Sequence, residues 1–347
     1  MEEGVSVLVT TWNGASRLPA TLAALAAQRV PDGLAWEVVV VDNASTDGSG
    51  DVARRAWPEG APAPLRVVVE PSAGVLHANL RGLRESRHGL VALVNDDNRP
   101  WPDWLARSAA DLQAHPEAAA VGARGIAEPE GPLPAWFERF QRHYAVGAQA
   151  ETGGPLLASR AALWGACTMY RARAWRGLLE QGFAPLLVGP RASARGAGED
   201  YELSYALRLA GWELRHDPAL SFRHVIPAAK LDWRWHRRLH RCFGAAIALD
   251  AYQRCLEGRG PSPPERAGVA WLAEALRAAS ALARFAGHFL LGDRMAGDPA
   301  VARADQLWGR LVALLRERAG YDRALRAVRE APWRRATSQA DASPDGP

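Results

Sequence analysis

Apolar runs with almost no polar interruption recur along the first hundred residues, and each is closed by polar or acidic residues. Residues 5–9 read Val-Ser-Val-Leu-Val and run into Thr10-Thr11-Trp12-Asn13-Gly14. Residues 37–41 read Glu-Val-Val-Val-Val and end at Asp42-Asn43. Residues 65–69 and 90–94 repeat the pattern, the second ending at Asn95-Asp96-Asp97-Asn98. Short continuous runs bounded by turn residues predict strands buried on both faces. Between them the period lengthens to that of a helix. Leu18, Leu22 and Leu25 share one face, with Asn13 or Ser16 placed to cap it. Ser45-Thr46-Asp47-Gly48 carries turn and cap chemistry before a second, short helix. A third helix is predicted over 74–85. This alternation is the pattern of parallel βαβ units.

Farther along, the regular pattern weakens. Residues 125–160 are rich in Gly and Pro and read as irregular. Residues 163–170 read as another strand, and 187–198 as a glycine-bearing loop that ends at Gly198-Glu199-Asp200, where a helix opens. Carboxylates are favoured at that position by the free amides and the dipole of the helix. After 225 the pattern is helical. In 265–291 the polar Glu274, Arg277, Arg284 and His288 fall near one face, which predicts an amphipathic helix rather than a membrane span. The expected organisation is an α/β domain over 1–228, a helical region over 229–335 and a disordered tail over 336–347.

The chemistry sits at strand ends. In a parallel sheet the C-terminal ends of neighbouring strands share one edge, where ligands bind. Asp42, the Asp96-Asp97 pair and Thr10-Thr11-Trp12 are thereby expected to converge. An acid can accept from a base N–H, an aromatic ring can stack, and paired carboxylates can hold a divalent cation that in turn holds a diphosphate.

Composition changes this picture little. The 347 residues are 48% hydrophobic and carry a net charge of +4, with Lys230 the only lysine. So small a net charge does not point to nucleic acid. Cys167, Cys242 and Cys255 match no zinc spacing and no disulfide framework, which fits a reducing, cytoplasmic setting. Cys167 reads as a small packed residue. Met1-Glu2-Glu3-Gly4 lacks the positive charge that opens a signal peptide. Residues 230–241 (KLDWRWHRRLHR) interleave basic and aromatic side chains. That segment suits peripheral contact with an anionic membrane, contact with an acceptor sugar, or a helix packed on the α/β domain.

Taken in order, these segments resemble family 2 glycosyltransferases of the GT-A fold, over roughly residues 4–230. Val5 to Asn13 resembles the family's opening strand. Val38 to Gly48 (VVVVDNASTDG) resembles the family's Val-Asp-Asp-Gly-Ser-Thr-Asp-Gly. Asn95-Asp96-Asp97 falls on its Asp-x-Asp motif, and Gly198-Glu199-Asp200-Tyr201-Glu202-Leu203 on its Gly-Glu-Asp-x-Glu-Leu motif. The expected fold is therefore a mixed, mainly parallel sheet flanked by helices, with a C-terminal helical extension.

The resemblance implies a nucleotide-sugar donor, with UDP the expected nucleotide, and a saccharide or glycoconjugate acceptor. The donor would be bound through Thr10, Thr11, Trp12, Asn13, Asp42, Asn43, His77, Asn95, Asp96, Arg191 and Arg195. Within that set, Asp42 would contact the base and Asp96 the ribose or nucleotide. Asp97 and His224 would hold Mn2+ or Mg2+. Trp164, Gly165 and Glu199 would face the acceptor, and Asp200 would be the base of an inverting transfer in cell-surface polysaccharide or glycoconjugate synthesis. Two positions depart from the pattern. Asn95 replaces the first acid of Asp-x-Asp, and Ala78-Asn79-Leu80 stands where the family has Ala-Arg-Asn, so that either His77 fills part of the arginine's role or the base is not uracil. These departures keep open an alternative, a non-catalytic nucleotide-sugar-binding paralogue.

Overall fold

The strands at 2–11, 36–42 and 88–95 form because their runs of valine and leucine can be buried on both faces at once, whereas the strand at 65–69 lies at the sheet edge and is only partly buried. In the computed structural model, which describes residues 2–187 and 198–334, Val7, Leu8, Val9, Val38 to Val41 and Val91 are all fully buried. Alternate residues feed two separate cores. Leu8, Val39, Val41 and Leu93 face one side of the sheet, while Val7, Val9, Val38, Val40 and Val94 face the other. Each such side chain contributes roughly 1.5–3 kcal/mol of burial.

The elements run β1 (Glu2–Thr11), α1 (Leu18–Ala26), β2 (Trp36–Asp42), α2 (Ser49–Ala56), β3 (Leu65–Val69), α3 (Val75–Glu85), β4 (His88–Asn95), β5 (Asn98–Pro100), α4 (Trp104–Ala114) and β6 (Ala118–Pro129). A short helix α5 (Phe137–Phe140) follows, then β7 (Gly154–Pro155), β8 (Thr168–Arg171), α6 (Ala172–Glu180), α7 (Glu199–Leu209) and β9 (Glu213–Ile226). The rest is helical: α8 (Trp233–Ala245), α9 (Leu249–Leu256), α10 (Pro263–Arg266), α11 (Ala270–Ala283), α12 (Ala286–Leu291), α13 (Pro299–Glu317) and α14 (Ala319–Arg329).

The sheet order is β3-β2-β1-β4-β8-β6-β9-β5, with β7 paired to β9. Strands β1 to β4 are mutually parallel; β8 runs antiparallel to β4 and β6. Chain progression reverses at β1, with β2 on one side and β4 on the other. Such a reversal opens a crevice at the strand ends. Register places Thr11 opposite Asp42 and Thr10 opposite Asn95 at that edge.

Several expectations need correction. The segment 125–160 is not irregular throughout, since β6 continues to Pro129 along β9. Its Ala- and Gly-rich sequence has weak strand propensity, and pairing with β8 and β9 decides the matter. The strand expected over 163–170 is confined to Thr168–Arg171. Upstream, the amides of Leu163, Trp164 and Gly165 donate to Ser204, Gln149 and Asp200 side chains instead of to a ladder. Neither Asn13 nor Ser16 caps α1, which starts without a side-chain cap. Asn13 instead accepts from the Thr46 amide. The helix expected over 265–291 is broken near Arg284–Phe285 into α11 and α12. No helix among the described residues is long and apolar enough to cross a membrane. Arg191, Arg195 and the tail 336–347 lie outside the described residues.

Beyond residue 228, α13 packs tightly on α8. A Cβ at Gly309 would sit 2.0 Å from the Arg241 carbonyl oxygen, and one at Gly244 1.9 Å from that of Gln306, so the two backbones touch. The contact encloses Asp305, which is fully buried and accepts from Arg237 Nε and Arg241 Nε, both at 2.7 Å. Replacing it by alanine strands a buried guanidinium, and losing one partner of a buried pair costs about 3–5 kcal/mol. Asp305→Ala should therefore lower the thermal midpoint markedly, measured by circular dichroism against Asp51→Ala, whose exposed carboxylate pairs with exposed Arg54.

Candidate active site

The edge where β1, β2 and β4 end holds the expected residues, but they divide into structural and available groups. Asp96 follows β4 and is buried. Thr11 Oγ1 donates to its Oδ2 at 2.6 Å, and Arg17 donates Nε to Oδ1 at 3.1 Å and Nη2 to Oδ2 at 3.0 Å. Its carbonyl accepts from Thr21 Oγ1. Expected on the ribose or nucleotide, the Asp96 carboxylate is held by Thr11 and Arg17 and ties the loop after β1 to the end of β4. Asn43 is held too. It is buried, donates to the carbonyls of Glu70 and Ser72, and accepts from the Gly74 amide. Asn13, at φ 47°, braces the loop 43–47. Asp42 accepts from the amides of Ser45 and Gly50, which aim its carboxylate along the edge. Trp12 is half-exposed there. Asn95 accepts from Thr10 Oγ1 at 3.0 Å.

Asp97 is placed differently. It sits between β4 and β5, and pairing of β5 with β9 sets Asn98 against His224. His224 Nε2 lies 3.5 Å and Lys230 Nζ 3.8 Å from Asp97 Oδ2, while Asn98 Nδ2 donates to Oδ1. Burial works against ionisation here, but His224, then Lys230 and Arg17, outweigh it and hold the Asp97 carboxyl down at about 2. His224 Nδ1 is 2.6 Å from the Tyr144 carbonyl oxygen, which can only accept. The Nδ1 proton is therefore fixed, and Nε2 turns toward the carboxylate. In a neutral imidazole that nitrogen bears a lone pair, which a cation or a proton can bridge to the carboxylate. An ionised carboxylate oxygen and an imidazole nitrogen aimed at each other suit a divalent ion.

The opposite wall is built by α7 and the 163–167 turn. Asp200 Oδ2 accepts from the Gly165 amide at 3.1 Å, and Oδ1 from its neighbour Tyr201's amide at 2.8 Å. Trp164 is buried, its amide held by Gln149. Burial raises the Asp200 carboxyl, against the pull of those amides. Glu199 is raised as well, up to about 8, by burial and by the charge of Asp200. Two neighbouring carboxyls whose surroundings separate their proton affinities divide the acid and base roles. Glu199 therefore holds a proton at neutral pH, and Asp200 is the carboxyl held by the Gly165 and Tyr201 amides.

One cavity of about 570 Å³ joins the two walls. Asn95 and His224 line one side, and Trp164, Gly165, Glu199 and Asp200 the other. From α3 it receives Leu76 and Asn79, but not the half-buried His77. Sequence reading missed Arg17, Asn98, Gln149 and the Tyr144 carbonyl, each of which fixes a site residue without belonging to a motif. Lys230 had one signal, its status as the only lysine of the chain.

The sheet order, the acids at the strand ends and the helix-borne carboxylates define a GT-A protein. Residues 6–178 match the family described as "Glycosyl transferase family 2", and the chain belongs to that family. Glycosyltransferase AglE of Haloferax volcanii is 30% identical over 109 residues, which are 31% of this chain and 35% of the relative. The matched stretch thus spans about a third of the length of that curated relative. Mannosyltransferase PcManGT from Pyrobaculum calidifontis, solved with GDP-Man and Mn2+, superposes with a TM-score of 0.57 at 22% identity, over 90% of this chain and 86% of its own. TarS 1-349 from S. aureus gives 0.51 at 15% identity over 94% and 91%, and its complex with UDP-GlcNAc 0.51 at 14% identity over 94% and 92%. These similarities establish the GT-A fold and the helical C-terminal region.

Gly14 tests the Asp96 tie. A Cβ there would lie 2.0 Å from Asp96 Oδ2 and 2.2 Å from Thr11 Oγ1. Gly14→Ala should cost about 1–3 kcal/mol, as overpacking does, read as a lower urea midpoint at unchanged slope. An unchanged midpoint would mean that the Asp96 tie yields freely.

Proposed function

We propose that this protein moves a sugar from a nucleotide-sugar donor to an acceptor hydroxyl, with inversion and with the help of a divalent cation. The observation that carries the reading is the two-walled cavity. Its donor side presents His224 beside the ionised Asp97, and its acceptor side presents Asp200 held by two backbone amides. The nucleotide would lie over the ends of β1 and β2, its base against Asp42 and Trp12. Asp97 and His224 would hold the cation, Mn2+ or Mg2+, which when bound offsets the charge gathering on the departing diphosphate. Lys230, close to the same carboxylate, is placed to pair with diphosphate oxygens.

Asp200 takes the proton of the acceptor hydroxyl. That oxygen bonds to the anomeric carbon as the bond to the diphosphate breaks on the opposite face. One base and one displacement give inversion, whereas retention by double displacement needs a second ionised carboxylate as nucleophile. Glu199, which keeps its proton, is not that group and instead donates toward the acceptor. PcManGT and TarS have been solved with GDP-Man and UDP-GlcNAc, so this fold accommodates either nucleotide, and Asp42 can accept from uracil or guanine N–H.

Asp200→Asn should reduce transfer at least a thousandfold while leaving nucleotide affinity within about twofold, read by calorimetry beside a transfer assay. The pH profile supplies a second check. Because the Asp200 carboxyl is raised, transfer should climb with pH through a value above the usual carboxylate range, since the protonated form cannot act as base. Glu199→Gln should keep that acid limb. Its disappearance in Glu199→Gln would transfer the base role to Glu199. Chelation with EDTA should stop transfer, with Mn2+ restoring it.

A further inference from the structure

A second cluster of nitrogen ligands lies behind the donor wall. His143, in the 3-10 turn Gln141–Tyr144, meets His236 and His240, which are one helical turn apart on the inner face of α8. One ring nitrogen from each lies within 4.8 Å of the others. His236 Nε2 and His240 Nε2 are 3.0 Å apart. The i, i+4 spacing puts two imidazoles on one side of a helix, as in helical zinc motifs.

The hydrogen bonds behind the rings favour ligation. Tyr144 Oη donates its single proton to the Lys230 carbonyl at 3.0 Å, so its lone pair accepts from His236 Nδ1–H at 3.0 Å. His236 Nε2 is thereby left with a free lone pair facing the cluster. His240 Nδ1 is 3.0 Å from the Gln306 side-chain amide, whose oxygen serves as acceptor for Nδ1–H when the amide is turned over, freeing Nε2 in the same way. His143 Nδ1 is buried with no hydrogen-bond partner. The aromatic rings of Phe140, Trp233 and Phe243 enclose the group. Burial keeps all three imidazoles neutral, with His143 held down to about 4 by burial and Arg142, and His236 to about 3 by burial and His143. Neutral imidazole is the ligand form, and hydrophobic packing alone gives no reason for three of them to converge.

We propose that His143, His236 and His240 form a binding site for a transition-metal cation, Zn2+ being the best match. Three neutral nitrogens suit zinc better than Mg2+, Ca2+ or Mn2+, which prefer oxygen. Tetrahedral Zn–N bonds of about 2.0–2.1 Å require nitrogens about 3.3 Å apart, so a small inward movement closes the triad. The fourth position falls to water from the cavity that His143 lines. The ion would bolt the 141–144 turn to α8. Tyr144 in that turn contacts both metal sites, through its hydroxyl at His236 and its carbonyl at His224. Zinc bound here would therefore hold His224 in its direction toward Asp97.

The test uses the full chain without an affinity tag, equilibrated with Zn2+ and then dialysed against metal-free buffer, with bound zinc read by mass spectrometry. One equivalent should persist in wild type and in Asp97→Ala, which removes the ligand on the donor side. His240→Gln and His143→Gln should each lose it, with affinity lowered at least tenfold. Zinc should also raise the thermal midpoint of Asp97→Ala but not that of Asp97→Ala/His143→Gln. Should His240→Gln fail to fold, His143→Gln decides, because that side chain is only half-buried at the cavity wall. Wild type without bound zinc, loss of the equivalent in Asp97→Ala, or its retention in folded His143→Gln would each overturn the proposal.

Discussion

A carboxylate that ends a buried strand must find partners, and the donor edge of this protein is organised by how Asp96 meets that demand. Burying an unpaired carboxylate costs several kcal/mol or more. Here Arg17 and Thr11 satisfy both oxygens, and Thr21 takes the carbonyl. The four residues come from the end of β1, the loop that follows, α1 and the end of β4. Their bonds set where the chain leaves β1 and how closely it approaches the end of β4. Gly14 is there because no side chain fits against that carboxylate. With Asp96 turned inward, Asp97 is directed to the other side of the chain, toward β9.

Adjacent acids thus perform opposite work. Asp96 is neutralised within the protein and holds the edge together. Asp97 is held ionised by His224 and Lys230, and among the described residues no arginine pairs with it in bidentate contact. The difference arises from β5, only three residues long, which pairs with β9 and carries Asp97 past the turn to His224. A similar economy governs the acceptor wall. Glu199 and Asp200 both begin α7 and burial raises both, but Asp200 accepts from the amide of Gly165, which fixes the direction of its carboxylate.

The helices after residue 228 support this arrangement from behind. A 3-10 turn, Ala228–Leu231, joins β9 to α8, so Lys230 in that turn reaches Asp97 while His236 on α8 reaches Tyr144. The close crossing of α8 and α13, at Gly244 and Gly309, brings Gln306 to His240 and encloses the Arg237–Asp305–Arg241 network. The basic and aromatic alternation of 230–241 is thus largely accounted for by inward packing. Trp233, His236, Arg237 and His240 are buried, whereas Arg234 and Arg238 face outward.

What the sequence determined by itself was whatever depends on local pattern. Valine runs specified β1, β2 and β4, because a strand buried on both faces needs no partner-dependent alternation. Acids at their ends marked the edge where those strands finish together, and Gly198-Glu199-Asp200 marked the start of α7. Tertiary structure decided what depends on pairing between distant segments. Alanine- and glycine-rich β6 became a strand only by lying between β8 and β9, and 163–167 lost its strand character to side chains of Gln149, Ser204 and Asp200. It also decided which of two neighbouring aspartates would be structural and which available. No spacing in the chain reveals that Arg17, 79 positions away, would reach Asp96, or that Lys230 would reach Asp97. Charge pairing depends on distance in space, and only the folded sheet sets that distance.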